Sequence, residues 1–393
     1  MSLIHYVLGR EVGQNSFQQV KQQLLLKHCR EFSLYNNIDF EMSHSSAVNC
    51  LDVDITGRYI LSGAKNGAIL VHDLYNFNGH TSYRCKTVST IGAEHSGSIP
   101  NKSIETVQWY PFDTGLFTTS GMDHMLRLWD TNGMCTFEKF EFNSKIYHHH
   151  ISPVKSGTTP LIAVATSSNH VYLADMRSGQ KTHELRGHKG SVMSCAWSPV
   201  RSYYLASGSS DSSIYLWDIR SARGHLGVLD LNNTSQPNMR QKPLQAHNGF
   251  VNGVTFTPDG NFLMSVGTDN TIRCWDFYQQ KHKEIVYGNV RIRLNKSLKF
   301  DVFGYGKFNV CIIPSDNKIV IYEVETGKRL NKLTGHYHFV NACLLQRDRL
   351  ELYSAGEDQN ILFWTPFKEP ESEDPEREKK IKFKEDNWSD DEG

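Results

Sequence analysis

The chain has no long apolar run. Its longest stretch of this kind, Leu161 to Ala165, falls far short of the roughly 20 residues a spanning helix needs, which excludes an integral helical membrane protein. It also has no net charge, because 42 basic side chains meet 42 acidic ones. A nucleic-acid binder working by bulk electrostatics gains no support from that balance. No C-x-x-C occurs among the eight cysteines, whose closest members are 21 residues apart. Neither a zinc framework nor a compact disulfide scaffold follows from such spacing. Reduced, buried thiols and a cytosolic or nuclear compartment are the expectation. The first residues lack a basic segment followed by an apolar one, so no signal peptide is expected. What the chain does have is 20 Phe, 17 Tyr and 7 Trp, enough to bury a large core. At 393 residues it exceeds the size at which single cores stop growing, so two domains or a repeat are expected.

A repeat is present. Gly187 to Asp218 reads GHKGSVMSCAWSP and then YLASGSSDSSIYLWD. Similar units run from Ala246 to Asp276 and from Gly335 to Trp364. Further copies end at Asp130 and Asp73, and degenerate ones at Asp175 and Glu323. The unit endings fall at 73, 130, 175, 218, 276, 323 and 365, a period of about 42–47 with two longer insertions. Short β-branched and aromatic segments flank Gly, Ser, Asp and Asn turns in each unit. The GH and WD punctuation at this period resembles the WD40 family. The resemblance implies an all-β fold, a seven-bladed propeller with four antiparallel strands per blade. Cys50, Cys195 and Cys343 are assigned to matching positions in their units.

Within the units four residue types recur at fixed spacing. His188, Ser207, Asp211 and Trp217 form one set; His247, Ser265, Asp269 and Trp275 another; His336, Ser354, Asp358 and Trp364 a third. Thr119, Asp123 and Trp129 supply most of a fourth. These are similar to the structural hydrogen-bond tetrads of WD40 blades. A hydrolase triad is rejected, because a triad needs one nucleophile in one pocket and this set repeats. Nucleotide-binding and zinc-hydrolase motifs are absent too. No catalytic residue, cofactor or metal is expected.

Three regions stand outside the punctuation. Residues 1–36 are read as an N-terminal extension, 37–365 as the propeller and 366–393 as a disordered charged tail. In the extension, Ser16 and Gln19 make a capping-box pattern, and Phe17, Val20, Leu24, Leu25 and His28 share one helical face. That helix either packs on the propeller or is offered to a partner groove. Residues 31–36 are expected to add the outermost strand of the last blade. Segments 75–82, 223–245 and 278–297 read as surface loops. The tail holds 11 acidic and 6 basic residues. Its basic cluster, Arg377 to Lys384, reads as a nuclear-import signal or as solubilising charge; its Trp388-Ser389 reads as a docking motif or phosphorylation site. His148 and His150 share a strand face, as a chelate requires, but lack further ligands at suitable spacing, so packed histidines are expected.

One unit ends Trp217-Asp218-Ile219-Arg220. The blade uses the Trp and Asp; the Arg, two residues on, falls in the loop facing away from the tetrad His and Asp. There its fork of donors can meet a partner carbonyl or carboxylate. Asp175-Met176-Arg177 is a degenerate second copy. This box resembles that of the substrate receptors of cullin-4 RING ubiquitin ligases. Residues 103–115, 266–270, 83–86, 351–354 and 360–362, with the acidic Trp-Ser ending and the N-terminal helix, are similar to the Cockayne syndrome A group of those receptors. That resemblance implies a nuclear, non-catalytic receptor acting in transcription-coupled nucleotide excision repair. It implies docking to the large subunit of the damaged-DNA-binding complex through Phe17, Val20, Leu24, Trp217, Asp218 and Arg220. Cullin-4 and the RING protein follow through that adaptor. The Cockayne syndrome B ATPase and RNA polymerase II are the implied partners on the substrate side. Neither direct sequence-specific nucleic-acid binding nor a membrane is expected. A generic WD40 interaction scaffold is the competing expectation.

Overall fold

The turn chemistry of the units sets the architecture. Ser212, Asn270 and Gln359 each follow a tetrad Asp and adopt left-handed φ of 60–69°, closing tight hairpins between apolar strands. The computed structural model describes residues 17–366 except 37, 79–82, 93–101, 154–159, 222–223, 234–243, 293–295 and 306–307. It is a seven-bladed β-propeller. Each blade is an antiparallel sheet whose strands run a to d from the axis outward. Blade 4, for example, has Val192–Trp197, Tyr204–Ser209, Ile214–Asp218 and His225–Val228. The seventh blade takes its outer strand, Ser33–Leu34, from the N-terminal side of the ring, paired with Thr365 and Trp364. Blade 1 gains a fifth strand, Ile38–Phe40, which runs parallel to Tyr83–Cys85.

Blades meet through apolar faces and through a set of side-chain braces. Trp129, Trp197, Trp217, Trp275 and Trp364 are all buried between strands. Gly208 follows Ser207 because a Cβ there would lie 2.6 Å from Val251 of the next blade. In six blades strand a carries a β-bulge near its start, for instance between Val192 and Ser194. The bulge adds a residue and steepens the twist, as ring curvature requires. Asn49 sits in one such bulge and donates to Ile104 O of blade 2 at 2.8 Å; Asn341 does the same to Val48 O, joining blade 7 to blade 1.

Further along strand a, one side chain accepts the otherwise unpaired backbone N–H of the next blade. Asp52 takes Trp109 N, Gln108 takes Ile151 N, His150 takes Trp197 N and Asp301 takes Leu345 N, at 2.6–3.0 Å. The inner edge of each sheet would otherwise bury unsatisfied donors.

Two sequence expectations need correction. Cys50 does not match Cys195 and Cys343. Those two lie opposite the tetrad serines Ser207 and Ser354, whereas Cys50 lies opposite Gly63. Leu51 holds the matching place, and a one-residue slip sends a side chain to the other face. The segment 278–297 is not a purely polar surface loop either. Tyr287, Val290 and Ile292 are buried in the core of blades 5 and 6, and Tyr287 Oη donates to Val324 O at 2.6 Å.

The helix α1, Phe17–Glu31, lies against strand d of blade 6, Arg329–Thr334. Leu25, Cys29 and Phe32 are buried there. Asn331 caps the helix end by donating to the carbonyls of Cys29 and Phe32 at 3.1 and 3.2 Å.

Candidate partner-binding face

The recurrent polar residues assemble at one end of their blades. Trp217 Nε1 donates to Ser207 Oγ at 2.8 Å, Ser207 donates to His188 Nε2 at 2.7 Å, and His188 Nδ1 donates to Asp211 at 3.3 Å. Because indole only donates and carboxylate only accepts, this direction fixes the histidine tautomer. Blade 5 repeats the chain through Trp275, Ser265, His247 and Asp269, and blade 7 through Trp364, Ser354, His336 and Asp358. Asp211 and Asp269, though burial opposes it, are held below the usual carboxylate range by their histidine partners. In blade 2 Trp129 donates to Thr119 at 2.9 Å, and Asp123 pairs with Arg127 as Asp269 pairs with Arg273 in blade 5. His95 lies outside the described residues.

Blade 1 holds a degenerate set that the spacing concealed. His44 Nε2 meets Ser62 Oγ at 2.8 Å, yet His72 stands in the tryptophan position and Asn66 in the aspartate position. Burial lowers both histidines to about 4. The signal was the His44–Ser62 separation, which matches the intact sets.

The three consecutive histidines are packing residues. His149 bridges Thr118 Oγ1 and Ser120 Oγ at 2.7 and 2.6 Å, and His148 and His150 face blade 4. No metal-like cluster of three or more ligands occurs among the described residues. Burial lowers His149 to about 3, so the folded state resists a proton that the unfolded chain accepts near 6.5. Its contribution is present above pH 6.5 and is lost as pH falls. Asp52, raised to about 7 by burial, acts in the opposite sense, so a whole-protein pH curve mixes the two. A His149→Phe variant isolates the histidine. It is expected to be less stable than wild type at pH 7.5, and the gap should narrow by about 2 kcal/mol at pH 5. Urea midpoints at the two pH values check this; a pH-independent gap contradicts it.

At the opposite end of blade 4, Arg220 emerges from the loop after strand c. Its Nε and Nη2 grip Asp218 Oδ1 and Oδ2 at 3.0 and 2.7 Å, and its guanidinium lies 4.3 Å over the Tyr203 ring. The Arg220 side chain is 55% exposed and Asp218 only 11%. Asp218 therefore holds two of the five N–H donors and leaves three without a hydrogen-bond partner among the described residues. In the loop that carries Tyr203, Val200 is more than half exposed, and Arg201 lies 5.6 Å over the ring of Tyr278 of blade 5, itself more than half exposed. Exposed Tyr and Arg in one patch are typical of interface anchors. Sequence reasoning missed these neighbours, because they sit in loops of two different blades. It also missed a twin of the pair in blade 1, where Arg58 grips Asp73 in the same bidentate way at 3.0 and 2.7 Å. At Arg177 the turn recurs, its N–H donating to Asp175 at 3.0 Å.

The expected helix anchors are elsewhere. Val20 and Leu24 are half-buried on α1 beside blade 6, two blades from Arg220, and the Phe17 side chain lies outside the described residues. The structure does not bring the helix and Arg220 together, so one partner touching both must span the intervening blade.

Comparison with known proteins agrees with this architecture. The profile of the WD domain, G-beta repeat, matches residues 38–73, 74–130, 179–218, 238–276 and 327–365. The chain is 30% identical to the WD repeat-containing protein ATCSA-1 of Arabidopsis thaliana, over 98% of this chain and 99% of that one. It is 25% identical to radiation-sensitive protein 28 of Saccharomyces cerevisiae, over 65% of this chain and 55% of the relative. It is 28% identical to the ribosome biogenesis protein ytm1 of Neurospora crassa, over 46% and 41%. With five matched repeats, seven blades and a relative similar from end to end, this chain belongs to the WD40 family.

Proposed function

We propose that the chain is the substrate receptor of a cullin-4 RING ubiquitin ligase in transcription-coupled nucleotide excision repair, a nuclear and non-catalytic subunit. The observation that carries the reading is Arg220, braced by Asp218 and Tyr203 with three N–H groups left for a partner. End-to-end similarity to a relative named ATCSA-1 supports it. In this reading Trp217 and Asp218 hold the turn and Arg220 contacts the adaptor, the large subunit of the damaged-DNA-binding complex. Phe17, Val20 and Leu24 extend that contact, cullin-4 and the RING protein join through the adaptor, and substrates at stalled RNA polymerase II, with the Cockayne syndrome B ATPase, occupy other surfaces.

Arg220→Ala tests the assignment. Loss of a charge-assisted contact of about 1.5–3 kcal/mol should weaken adaptor binding roughly tenfold or more. Titration of purified adaptor with wild type and variant measures it.

A second reading, a WD40 scaffold without a ligase link, is favoured by one observation. The Arg58–Asp73 pair repeats the Arg220–Asp218 geometry, as expected if such pairs serve the blades themselves. Under that reading Arg220→Ala lowers stability and leaves adaptor affinity untouched.

A further inference from the structure

The seven inner strands enclose a cavity of about 590 Å³ on the axis. That volume is in the range of small-molecule sites. Its mouth is ringed by Pro111, Pro153, Pro199 and Pro258, which follow strand a of blades 2 to 5, so it opens on the face that carries Arg220. Its floor lies where the ammonium of Lys299, from blade 6, crosses the axis to Tyr147 O of blade 3 at 3.2 Å.

Lys299 donates to that carbonyl and to Ser297 Oγ at 2.7 Å, both neutral acceptors. An ammonium has three N–H donors, so one remains. Among the described residues no carboxylate stands at ion-pair distance from it. A charge so enclosed without a counter-ion is costly. Ser194 supplies a second, independent sign. It lines the same cavity, is 2% exposed, and its hydroxyl has no hydrogen-bond partner among the described residues.

The groups around the floor leave Lys299 as its net charge. Burial pushes the Cys50 and Cys195 thiols up to about 12 and keeps His148, His149 and His150 neutral. Glu105 acts on Lys299 from beyond ion-pair distance, and Lys296 acts on it in the opposite sense, so the two offset. Two residues nearer the mouth stand Asp52 and Asp301, each raised by burial, with Arg347 acting on both.

We propose that the cavity floor binds a small tetrahedral oxyanion, such as inorganic phosphate or sulfate, with the Lys299 ammonium as counter-charge and the Ser194 hydroxyl as second donor. Binding then depends on pH in one direction. Lys299, lowered by burial to about 8, loses its charge above that value. Asp52 takes up a proton below about 7, which removes a repelling charge. Both changes favour the anion at lower pH.

The test is calorimetric titration of the full chain with sodium sulfate, whose charge is constant over this range, at pH 6.5 and 8.5 and constant ionic strength, and with sodium phosphate, which itself loses a proton between those values, at pH 6.5 alone. One saturable site is expected, weaker at pH 8.5. Lys299→Met should weaken it by about tenfold or more, Ser194→Ala by a smaller factor, and Lys65→Met, on an exposed turn, not at all. If Lys299→Met fails to fold, Ser194→Ala and the wild-type pH ratio still decide. No saturable uptake at millimolar anion, uptake unaffected by a folded Lys299→Met, or affinity that rises with pH overturns the proposal. Failure here leaves the adaptor reading untouched, since the two rest on different residues.

Discussion

A chain lacking residues 1–36 is expected to lose cooperative unfolding, whereas one lacking only residues 1–16 keeps α1 and its contacts. The longer cut removes strand Ser33–Leu34 and leaves blade 7 with three strands and an exposed edge. It also removes Leu25, Cys29 and Phe32 from the core they share with blade 6. Burying Leu or Phe contributes about 2 kcal/mol each, so this loss alone reaches about the lower end of a domain's net stability, about 5–15 kcal/mol. Ring closure adds a topological reason: once the outer strand is gone, no backbone pairing joins the two ends of the propeller. Tryptophan fluorescence across a urea series measures the effect. A truncated chain that unfolds in one transition at the wild-type midpoint contradicts it.

Ser207→Ala is the second large effect. One hydroxyl serves both Trp217 Nε1 and His188 Nε2, and all three groups are buried. Its removal leaves an indole donor and an imidazole nitrogen unpaired, at about 1–3 kcal/mol each, so about 2–6 kcal/mol in total is expected. Ser265→Ala and Ser354→Ala should behave alike, since His247 and His336 complete the same chain. Thr119→Val removes the acceptor of Trp129 Nε1 in blade 2 and should also destabilise the chain. Urea midpoints of the four variants give the comparison. Costs below about 0.5 kcal/mol contradict the assigned hydrogen-bond chains.

Legibility in the sequence followed chemistry. The tetrads of blades 4, 5 and 7 could be read because their four residue types are constant and their separations fixed by hairpin geometry. Blade 1 was harder, since His72 replaces the tryptophan and Asn66 the aspartate while the fold of the blade survives. The inter-blade braces could not be read. Asp52, Gln108, His150 and Asp301 differ in chemistry, and each bonds a backbone group more than 40 residues away. The slip at Cys50 differs in origin: blades 1, 4 and 7 carry the same bulge, but Cys50 comes two residues after Val48, whereas Cys195 and Cys343 come three after Val192 and Val340, so the mismatch was present in the sequence. At the candidate face, Asp218 and Arg220 were visible as a motif, but Tyr203 was not, since it meets Arg220 only across the folded hairpin of blade 4, and Tyr278 was not, since it meets Arg201 only when blades 4 and 5 stand side by side.

The helix shows how structure changes an experiment. Deleting residues 1–30 would remove Leu25 and Cys29 from the core along with any partner contact, so lost binding would be ambiguous. Substituting half-buried Val20 and Leu24 by alanine is cleaner, with thermal stability followed alongside affinity.

The central claim is that this propeller docks a cullin-4 adaptor. Size-exclusion co-elution of the purified full chain with the purified large subunit of the damaged-DNA-binding complex tests it most directly, at micromolar concentration and physiological salt. The expected result is one shared peak at the mass of a one-to-one complex, lost with Arg220→Ala although that variant remains folded. Separate elution of two folded proteins would contradict the claim and leave a WD40 interaction scaffold with other partners.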